Sequence, residues 1–352
     1  MQLKLPRLAE NIQAQPASLA RVLQQHCGMG RDKLLHAASQ LRTAKRVVIT
    51  GIGASMFASI PLEYLLCSHG IDAVTVEAAE FLHYRCNAYR DAVVIVVSRS
   101  GDSVEIAKLL PTLKGRMPII GVTNEAARTL AREADLSINV GSLPDEMVAI
   151  QSYTGTLLTL YLLGMATVDE LRATQEEVEA LLPALSRLIA VNLDELRGWD
   201  PFLEGSALVY LLGRGPSYGS ALEGALLFNE TAKAPAIGMP AASFRHGPVE
   251  LVDQGFRGLI FAPRGCTCAL NVALAQNLTR FGGRVRVIGP QNADGAGLEW
   301  SATPSVPEML SPLFEIVPVQ VAALRLAQLK GITVGSFRYT PQVTLDEATF
   351  SR

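Results

Sequence analysis

Two groups of polar side chains have types and spacings suited to chemistry. The first consists of four serines placed directly after short apolar segments, namely Ser55, Ser98, Ser100 and Ser103. We call these four residues the serine cradle. Hydroxyl groups can donate hydrogen bonds to a phosphate group without adding charge. The pattern therefore predicts an anion site, although a polar turn followed by a helix N-cap would use the same residues.

The second group carries titratable side chains. Glu223 and Glu230 are seven residues apart in SALEGALLFNETAK, so both project from one face of a helix. Glu230 lies among apolar residues, where partial desolvation would raise the pKa of its carboxyl group toward that of a useful general base. His246 precedes a Gly-Pro turn that would hold its ring at a loop edge. The alternatives are an exposed helix carboxylate and a structural histidine.

The elements that position these residues alternate between strand and helix. Short β-branched runs that end in small residues predict strands, and the longer segments between them predict helices, as in a parallel sheet covered on both faces. The predicted strands are 46–52, 91–98, 118–123, 207–213, 258–263 and 284–289, and the predicted helices are 55–69, 103–114, 218–233 and 268–281. Ligands of such sheets bind beyond the carboxyl ends of the strands, where Gly53 and Gly101 would let backbone N–H groups approach a phosphate.

Three motifs recur in the same order at nearly constant spacing. GIGAS at 51–55 matches GRGPS at 213–217, AAEFLH at 78–83 matches AASFRH at 241–246, and SRSG at 98–101 matches APRG at 262–265. The chain therefore reads as a duplicated domain. Ala262 and Arg264 replace Ser98 and Ser100 in the second copy, which predicts one phosphate site per chain.

The repeat divides the chain into five predicted segments. These are a helical lead-in over 1–42, a phosphate-binding domain over 43–168, a helical linker over 169–200, a second domain with the acid–base residues over 201–338, and a tail over 339–352.

Composition narrows the class of protein. With 352 residues and 49% hydrophobic side chains the chain can bury a large core, and its formal net charge of −2 offers no basic surface for nucleic acid or an anionic membrane. No apolar run reaches the roughly 18 to 20 residues that a membrane span needs, and the first residues lack the apolar core of a signal peptide. Five scattered cysteines without a CxxC pair indicate neither disulfides nor zinc. We expect a cytoplasmic protein without a metal or cofactor.

With these residues in view, the chain resembles the double sugar-isomerase (SIS) domain proteins. The resemblance is to the isomerase portion of glucosamine-6-phosphate synthase and to the related amino-sugar-phosphate deaminases and fructosamine-phosphate deglycases. The motifs that carry it are GIGAS, AEFLHYR, SRSGDS, DEMVAIQSYTGTLL, GRGPSYGSALEGALLFNET, FRHGPVELVD and FEIVPVQVAALRLAQLKG. It implies an α/β fold of two tandem SIS domains, each a three-layer α/β/α sandwich with a mainly parallel five-stranded sheet.

The resemblance also implies roles for individual residues. Glu230 would move a proton between C1 and C2 of a sugar phosphate, and His246 would assist ring opening, in some relatives from the neighbouring subunit, which implies a homodimer. Glu223 would fix its helix or shape the site. The substrate-binding residues would be Gly53, Ala54, Ser55, Ser98, Arg99, Ser100, Ser103, Gln151, Ser152 and Glu223.

The sequence departs from the pattern of this family in three places, and these differences narrow the possible substrates and reactions. No glutaminase domain with a nucleophilic cysteine stands before residue 40, so we expect no glutamine hydrolysis. The tail after Lys330 has no lysine to form an imine, and Pro341 or Gln342 stands near the corresponding place. Ala54 replaces the usual threonine of the first glycine turn, and Ile150-Gln151-Ser152 replaces a Ser-Thr-Lys run.

The sequence therefore favours an enzyme that isomerises a ketose or amino-sugar phosphate or removes its amine. A non-catalytic phosphosugar sensor is the alternative, and retention of Glu230 and His246 argues against it. A nicotinamide-dependent enzyme is disfavoured because Met56 stands where GxGxxG requires its third glycine.

Overall fold

The computed structural model describes residues 7–145, 148–334, 337–339, 343–344 and 346. The chain divides into two compact units, one formed by residues 15–182 and 337–352 and the other by residues 1–14 and 183–336. We call them the first and the second unit and describe each by itself. The domain boundaries expected from the sequence stay a prediction. Pro341 and Gln342, the residues expected near the site of the missing lysine, lie outside the described residues.

The first unit contains a parallel five-stranded sheet. Its strands are β1 (Val47–Gly51), β2 (Ala73–Glu77), β3 (Val93–Val97), β4 (Ile119–Thr123) and β5 (Leu136–Asn139). They lie in the order β2-β1-β3-β4-β5, and every neighbouring pair is parallel. The three central strands are buried along their whole length, which explains their continuous β-branched sequences.

The second unit repeats this topology. Its strands are β6 (Val209–Gly213), β7 (Ala236–Pro240), β8 (Arg257–Phe261), β9 (Arg284–Gly289) and β10 (Glu299–Ala302). Their order, β7-β6-β8-β9-β10, is that of the first sheet with each strand replaced by its counterpart, and all pairs are parallel. The predicted fold class, two tandem α/β domains with five-stranded parallel sheets, is confirmed.

Helices flank the two sheets. They are α1 (Arg7–Cys27), α2 (Arg31–Thr43), α3 (Ala54–Phe57), α4 (Ile60–Ser68), α5 (Ala78–Glu80), α6 (Val104–Leu113), α7 (Thr129–Glu133), α8 (Gln151–Thr167), α9 (Leu171–Asp194), α10 (Asp200–Leu203), α11 (Ser217–Ala232), α12 (Ala241–Phe244), α13 (Cys268–Arg280) and α14 (Ser311–Leu329). The prediction of a single helix over 55–69 is wrong in one respect, because this segment forms two helices, α3 and α4. Pro61 in the first turn of α4 explains the break, since a proline there cannot continue a helix from Phe57.

Each unit has one helix that is buried on nearly all sides. In the first unit α8 packs against α2 and α4, and in the second α14 packs against α11. Among the described residues, one helical segment, Glu308–Leu329, is long and apolar enough to cross a membrane, with a mean hydropathy of 1.4. No apolar segment of this length was expected from the sequence. Because 89% of its apolar window is buried inside the protein, this is the pattern of a core helix.

Candidate functional site

The polar turns of the first unit lie at the carboxyl edge of its sheet. β1 and β3 are neighbours in register, with Val47 opposite Val93, so their last residues end at the same edge. A side chain at Gly51 would come within 2.8 Å of the carbonyl oxygen of Val97, so the two strand ends need a glycine to approach. Gly53 then adopts a φ of 54°, which favours glycine, and α3 begins at Ala54.

One hydrogen bond joins the two turns that carry the serine cradle. The backbone N–H of Arg99, in the loop after β3, donates to the hydroxyl oxygen of Ser55 in α3 at 3.4 Å. Residues 44 positions apart in sequence are thereby held side by side. The structure thus brings Ser55 to the loop that contains Ser98 and Ser100.

Within that loop the serine oxygens accept hydrogen bonds from the backbone. The N–H of Gly101 donates to Ser98 Oγ at 3.1 Å, and the N–H of Asp102 donates to Ser100 Oγ at 3.4 Å. Gly101 has a φ of 71°, and Ser103 is the N-cap residue of α6. A hydroxyl that accepts from a backbone N–H retains its own hydrogen for donation to another group. The same serines can therefore shape a polar turn and still donate hydrogen bonds to a bound anion.

A cavity of about 390 Å³ opens beside this loop. Three predicted site residues, Arg99, Ser100 and Ser152, line it together. Val343 from the carboxyl-terminal segment also lines it. The cavity therefore joins the loop after β3 to the start of α8 within one unit.

Other predicted residues lie outside the lining. Ser55, Ser98 and Ser103 are not among the described residues that line this cavity. Ser98 is buried behind the loop surface, with 6% of its area exposed. Beside Ser103, the N–H of Val104 donates to the carbonyl oxygen of Thr344 at 3.0 Å, so the carboxyl-terminal segment contacts the first turn of α6.

Asp145 organises the start of α8. Its carboxylate accepts from the backbone N–H groups of Ile150, Gln151 and Ser152 at 2.8 to 3.0 Å, and from Ser152 Oγ at 2.6 Å. These N–H groups have no partner within the helix, so the carboxylate satisfies them and interacts favourably with the helix dipole. The side-chain amide of Gln151 donates to the carbonyl of Pro144 at 3.1 Å. Gln151 and Ser152 are both buried, and of the two only Ser152 lines the cavity.

The cavity carries charges of both signs. Asp102 accepts from the N–H of Thr129 at 2.9 Å, and this hydrogen bond is the largest cause of a lowered pKa for its carboxyl group. Arg128 pairs with Asp102 at 3.2 Å, and Arg99 lies nearby in the lining. The local field is therefore mixed, and hydrogen bonds more than net charge must hold an anion here.

Two of the lining residues that were not predicted from the sequence fix the shape of the site. Asn124 lines the cavity and exchanges hydrogen bonds with the backbone of Ser142, which fixes the loop after β4. Asp145 lines it as well. Asn124 directly follows a predicted strand, so the rule that singled out the serines could have found it. Nothing in the spacing of Asp145 indicates that it holds α8.

The titratable residues lie in the second unit, where α11 carries two of them. Glu223 is buried, with 1% of its area exposed, and Glu230 is partly buried one turn before the helix ends. A side chain at Gly224 would come within 2.4 Å of Leu211 and 2.9 Å of Val319, so α11 packs closely on β6 and α14. The helix thus has a fixed position against its own sheet.

His246 lies in a turn after α12. Its N–H donates to the carbonyl of Ser243 at 3.0 Å, and its side chain is exposed. Gly247 follows with a φ of 127°, which only glycine adopts easily, and Pro248 begins a short 3-10 turn. The backbone therefore presents the imidazole at the surface of the second unit.

Comparison with known proteins identifies the class. A family profile described as SIS domain matches residues 40–168 and 203–330, one match for each sheet. Together these ranges cover well over half of the chain. The chain belongs to the SIS-domain family.

The individual relatives are phosphosugar enzymes by name. The chain is 29% identical over 306 residues to a glutamine–fructose-6-phosphate aminotransferase (isomerizing) of Pyrococcus horikoshii, covering 84% of this chain and 50% of that protein. It spans about half the length of the curated relatives that it matches.

Two solved structures share the fold at low identity. One is the C-terminal domain of a glucosamine-fructose-6-phosphate aminotransferase from Francisella tularensis, with a TM-score of 0.79 and 20% identity over 93% of this chain and 97% of that one. The other is a tagatose-6-phosphate ketose/aldose isomerase from Escherichia coli, with a TM-score of 0.78 and 20% identity over 94% and 96%.

Proposed function

We propose that this chain is a phosphosugar isomerase or deaminase of the SIS type. Its substrate is a ketose phosphate or an amino-sugar phosphate. The serine cradle binds the phosphate group, Glu230 transfers a proton between C1 and C2, and His246 assists opening of the sugar ring. The names of the relatives, an isomerizing aminotransferase and a ketose/aldose isomerase, support this class of reaction.

The hydrogen bond between Arg99 N–H and Ser55 Oγ carries the binding part of the proposal. It holds the hydroxyls after β1 beside those after β3, which a single phosphate with several acceptor oxygens requires. The adjacent cavity of about 390 Å³ has room for a sugar phosphate. Binding the non-reacting phosphate supplies orientation, which leaves the carboxylate to perform the proton transfer.

The proton transfer balances without an added reagent. Starting from a ketose, Glu230 removes a proton from C1 while the C2 carbonyl oxygen gains a proton, which forms an enediol. The protonated carboxyl group then returns its proton to C2 while the C1 hydroxyl loses its own proton, which forms the aldose. An amino sugar passes through the corresponding enolamine to an imine at C2, and addition of water to this imine breaks the C–N bond and releases ammonia, leaving the ketose. Glu230 fits this role because it is only partly buried on a helix that is fixed against its sheet.

Exchange of the C1 and C2 protons with solvent tests the role of Glu230. Wild-type protein is incubated with fructose-6-phosphate, glucosamine-6-phosphate, galactosamine-6-phosphate or fructosamine phosphates in heavy water, and deuterium uptake is followed by NMR. We expect Glu230→Gln to abolish exchange while the sugar phosphate still raises the melting temperature. Glu195→Gln, at an exposed carboxylate of the same unit, is the matched control and should exchange normally.

Two outcomes contradict this proposal. Undiminished exchange in a folded Glu230→Gln protein would show that Glu230 is not the general base. A rise in melting temperature with every sugar phosphate but no exchange in the wild type would instead identify a phosphosugar sensor.

A further inference from the structure

The second unit contains a backbone counterpart of the serine cradle. Gly215 follows β6 with a φ of 54°, the same value as Gly53 after β1. Gly265 follows β8 at the position that Gly101 takes after β3, in the repeat APRG against SRSG. The second copy therefore retains the turn after β6 and a glycine at the place of Gly101, although Gly265 lacks the positive φ of Gly101 and two of the serines are lost.

A carboxylate of the same chain lies on one of these turns. A side chain at Gly265 would come within 2.1 to 2.4 Å of the carboxyl carbon and both carboxyl oxygens of Glu308. The backbone N–H of Cys266 faces this carboxylate and opposes the burial that raises the pKa of Glu308. Glu308 thus rests directly on the glycine, beside a backbone N–H of the turn, as a bound anion would.

A second carboxylate contacts the other turn. Ser217, the counterpart of Ser55, is completely buried and donates through its hydroxyl to Glu315 Oε2 at 3.0 Å. Glu315 lies in α14, two helical turns after Glu308, and is itself buried. One segment of the chain therefore supplies an acidic group to each of the two turns.

We propose that the loop at 263–267 is an anion-binding site that the Glu308 carboxylate occupies in cis, a proposal that rests on the proposed function of the serine cradle. Occupancy by Glu308, together with the nearby Glu315, excludes a phosphate group from the second unit. A tethered carboxylate has a high effective concentration, and its negative charge repels a dianion. Glu308 is therefore the residue that limits the chain to one phosphosugar site.

Removal of the carboxylate exposes a phosphate site in the second unit. Equilibrium dialysis with radiolabelled inorganic phosphate counts the sites per chain. We expect one site in the wild type and a second site in Glu308→Ala, where the Cys266 N–H and the exposed Arg264 of the same loop become available to phosphate. Adding Glu315→Gln to Glu308→Ala should strengthen the second site above pH 7, where the Glu315 carboxyl group, whose pKa burial raises to about 7, is ionised.

Two control variants locate the new site. In Glu308→Gln the amide has the size of the carboxyl group and still covers Gly265, so one site should remain. Adding Arg264→Ala to Glu308→Ala should weaken the second site while the first is unchanged. A folded Glu308→Ala protein that binds no more phosphate than the wild type would overturn the proposal, as would a second site that Arg264→Ala leaves unaltered.

Failure of this proposal and failure of the proposed function give different numbers of phosphate sites. If the serine cradle binds no phosphate, the wild type shows no site and Glu308→Ala shows one. If Glu308→Ala does not fold, the unmodified chain still provides a test. With cysteine labelled by ¹⁵N, the amide shift of Cys266 should follow titration of the Glu308 carboxyl group in the wild type and should not in Glu308→Gln. A Cys266 amide that does not respond to pH would overturn the proposal.

Discussion

The Ser152 hydroxyl lies 2.6 Å from Asp145 Oδ2, and the same carboxylate accepts from three backbone N–H groups at the start of α8. A single acidic side chain thus holds both the first turn of a buried helix and one wall of the candidate cavity. Because a carboxylate with four donors is hard to replace, the shape of the cavity depends on this residue.

Asp145→Ala should therefore reduce both stability and binding. Loss of hydrogen bonds to a charged group at a helix N-terminus costs on the order of 2 kcal/mol. We expect the midpoint of urea unfolding to fall and the affinity for a sugar phosphate to weaken. Asp91→Asn, which removes an exposed pair with Lys45, should change neither. Unaltered unfolding in Asp145→Ala would contradict the role of this carboxylate.

Ser98→Ala should weaken phosphosugar binding. The Ser98 hydroxyl accepts from the buried N–H of Gly101, so its removal leaves that N–H unsatisfied at a cost of about 1 to 3 kcal/mol. Without that hydrogen bond the loop that carries Ser100 loses its shape, and we expect affinity by calorimetry to fall by roughly tenfold or more. Ser39→Ala, at an exposed position of α2, is the control. Equal affinities for both variants would argue against the serine cradle.

Mixing two inactive variants tests whether the exposed His246 acts in a neighbouring copy. If Glu230 and His246 of one site come from different subunits of a dimer, a mixture of Glu230→Gln and His246→Asn chains forms hybrids with one intact site. Activity should return to about a quarter of the wild-type value after refolding together. No recovery in hybrids verified by mass would place both residues of each site in one chain.

Glu315 should make stability depend on pH between about 4.5 and 7. Burial, the largest cause, raises the pKa of its carboxyl group from 4.5 to about 7. The folded protein then binds the proton more tightly than the unfolded chain, so the contribution is complete below pH 4.5 and is lost as pH rises toward 7. The melting temperature of the wild type minus that of Glu315→Gln should fall across this window. The full contribution is on the order of 3 kcal/mol, and a flat difference would contradict it.

His26 should produce the opposite trend in the first unit. Burial lowers the pKa of its imidazole from 6.5 to about 4, and its Nε2 lies 3.0 Å from Thr159 Oγ1. The unfolded chain takes up the proton first, so stability is present above pH 6.5 and is lost as pH falls toward 4. Relative to His26→Gln, the wild type should lose melting temperature over that range. If the melting temperatures of the wild type and His26→Gln changed in parallel over this range, His26 would have to be protonated in the folded protein.

Much of the fold could be predicted because burial imposes a pattern on the sequence. The central strands β1, β3, β6 and β8 are continuous apolar runs, since helices cover both faces of a parallel sheet. The outer strands β2, β5, β7 and β10 were not found in the sequence. They are partly exposed, and β2, β5 and β10 mix polar with apolar residues, while β7 contains a glycine and a proline, so their sequences lack that pattern.

The candidate site could be predicted only in part. The serines were found because each follows a recognisable strand, and the repeat showed which copy retains them. The roles of Ser55 toward Arg99 and of Asp145 toward α8 were not accessible, because they depend on side-chain hydrogen bonds between separate segments.

The amino-acid sequence was thus enough to predict the alternation of strands and helices, the duplication, and the hydroxyl and acid–base side chains of the candidate site. These properties follow from hydrophobic periodicity and from residue type, which any short stretch carries within itself. Folding alone decided that Glu308 rests on Gly265 and that Ser217 bonds to Glu315. Such contacts join positions that are distant along the chain, and only the packing of α14 and its preceding turn against the second sheet brings them within reach.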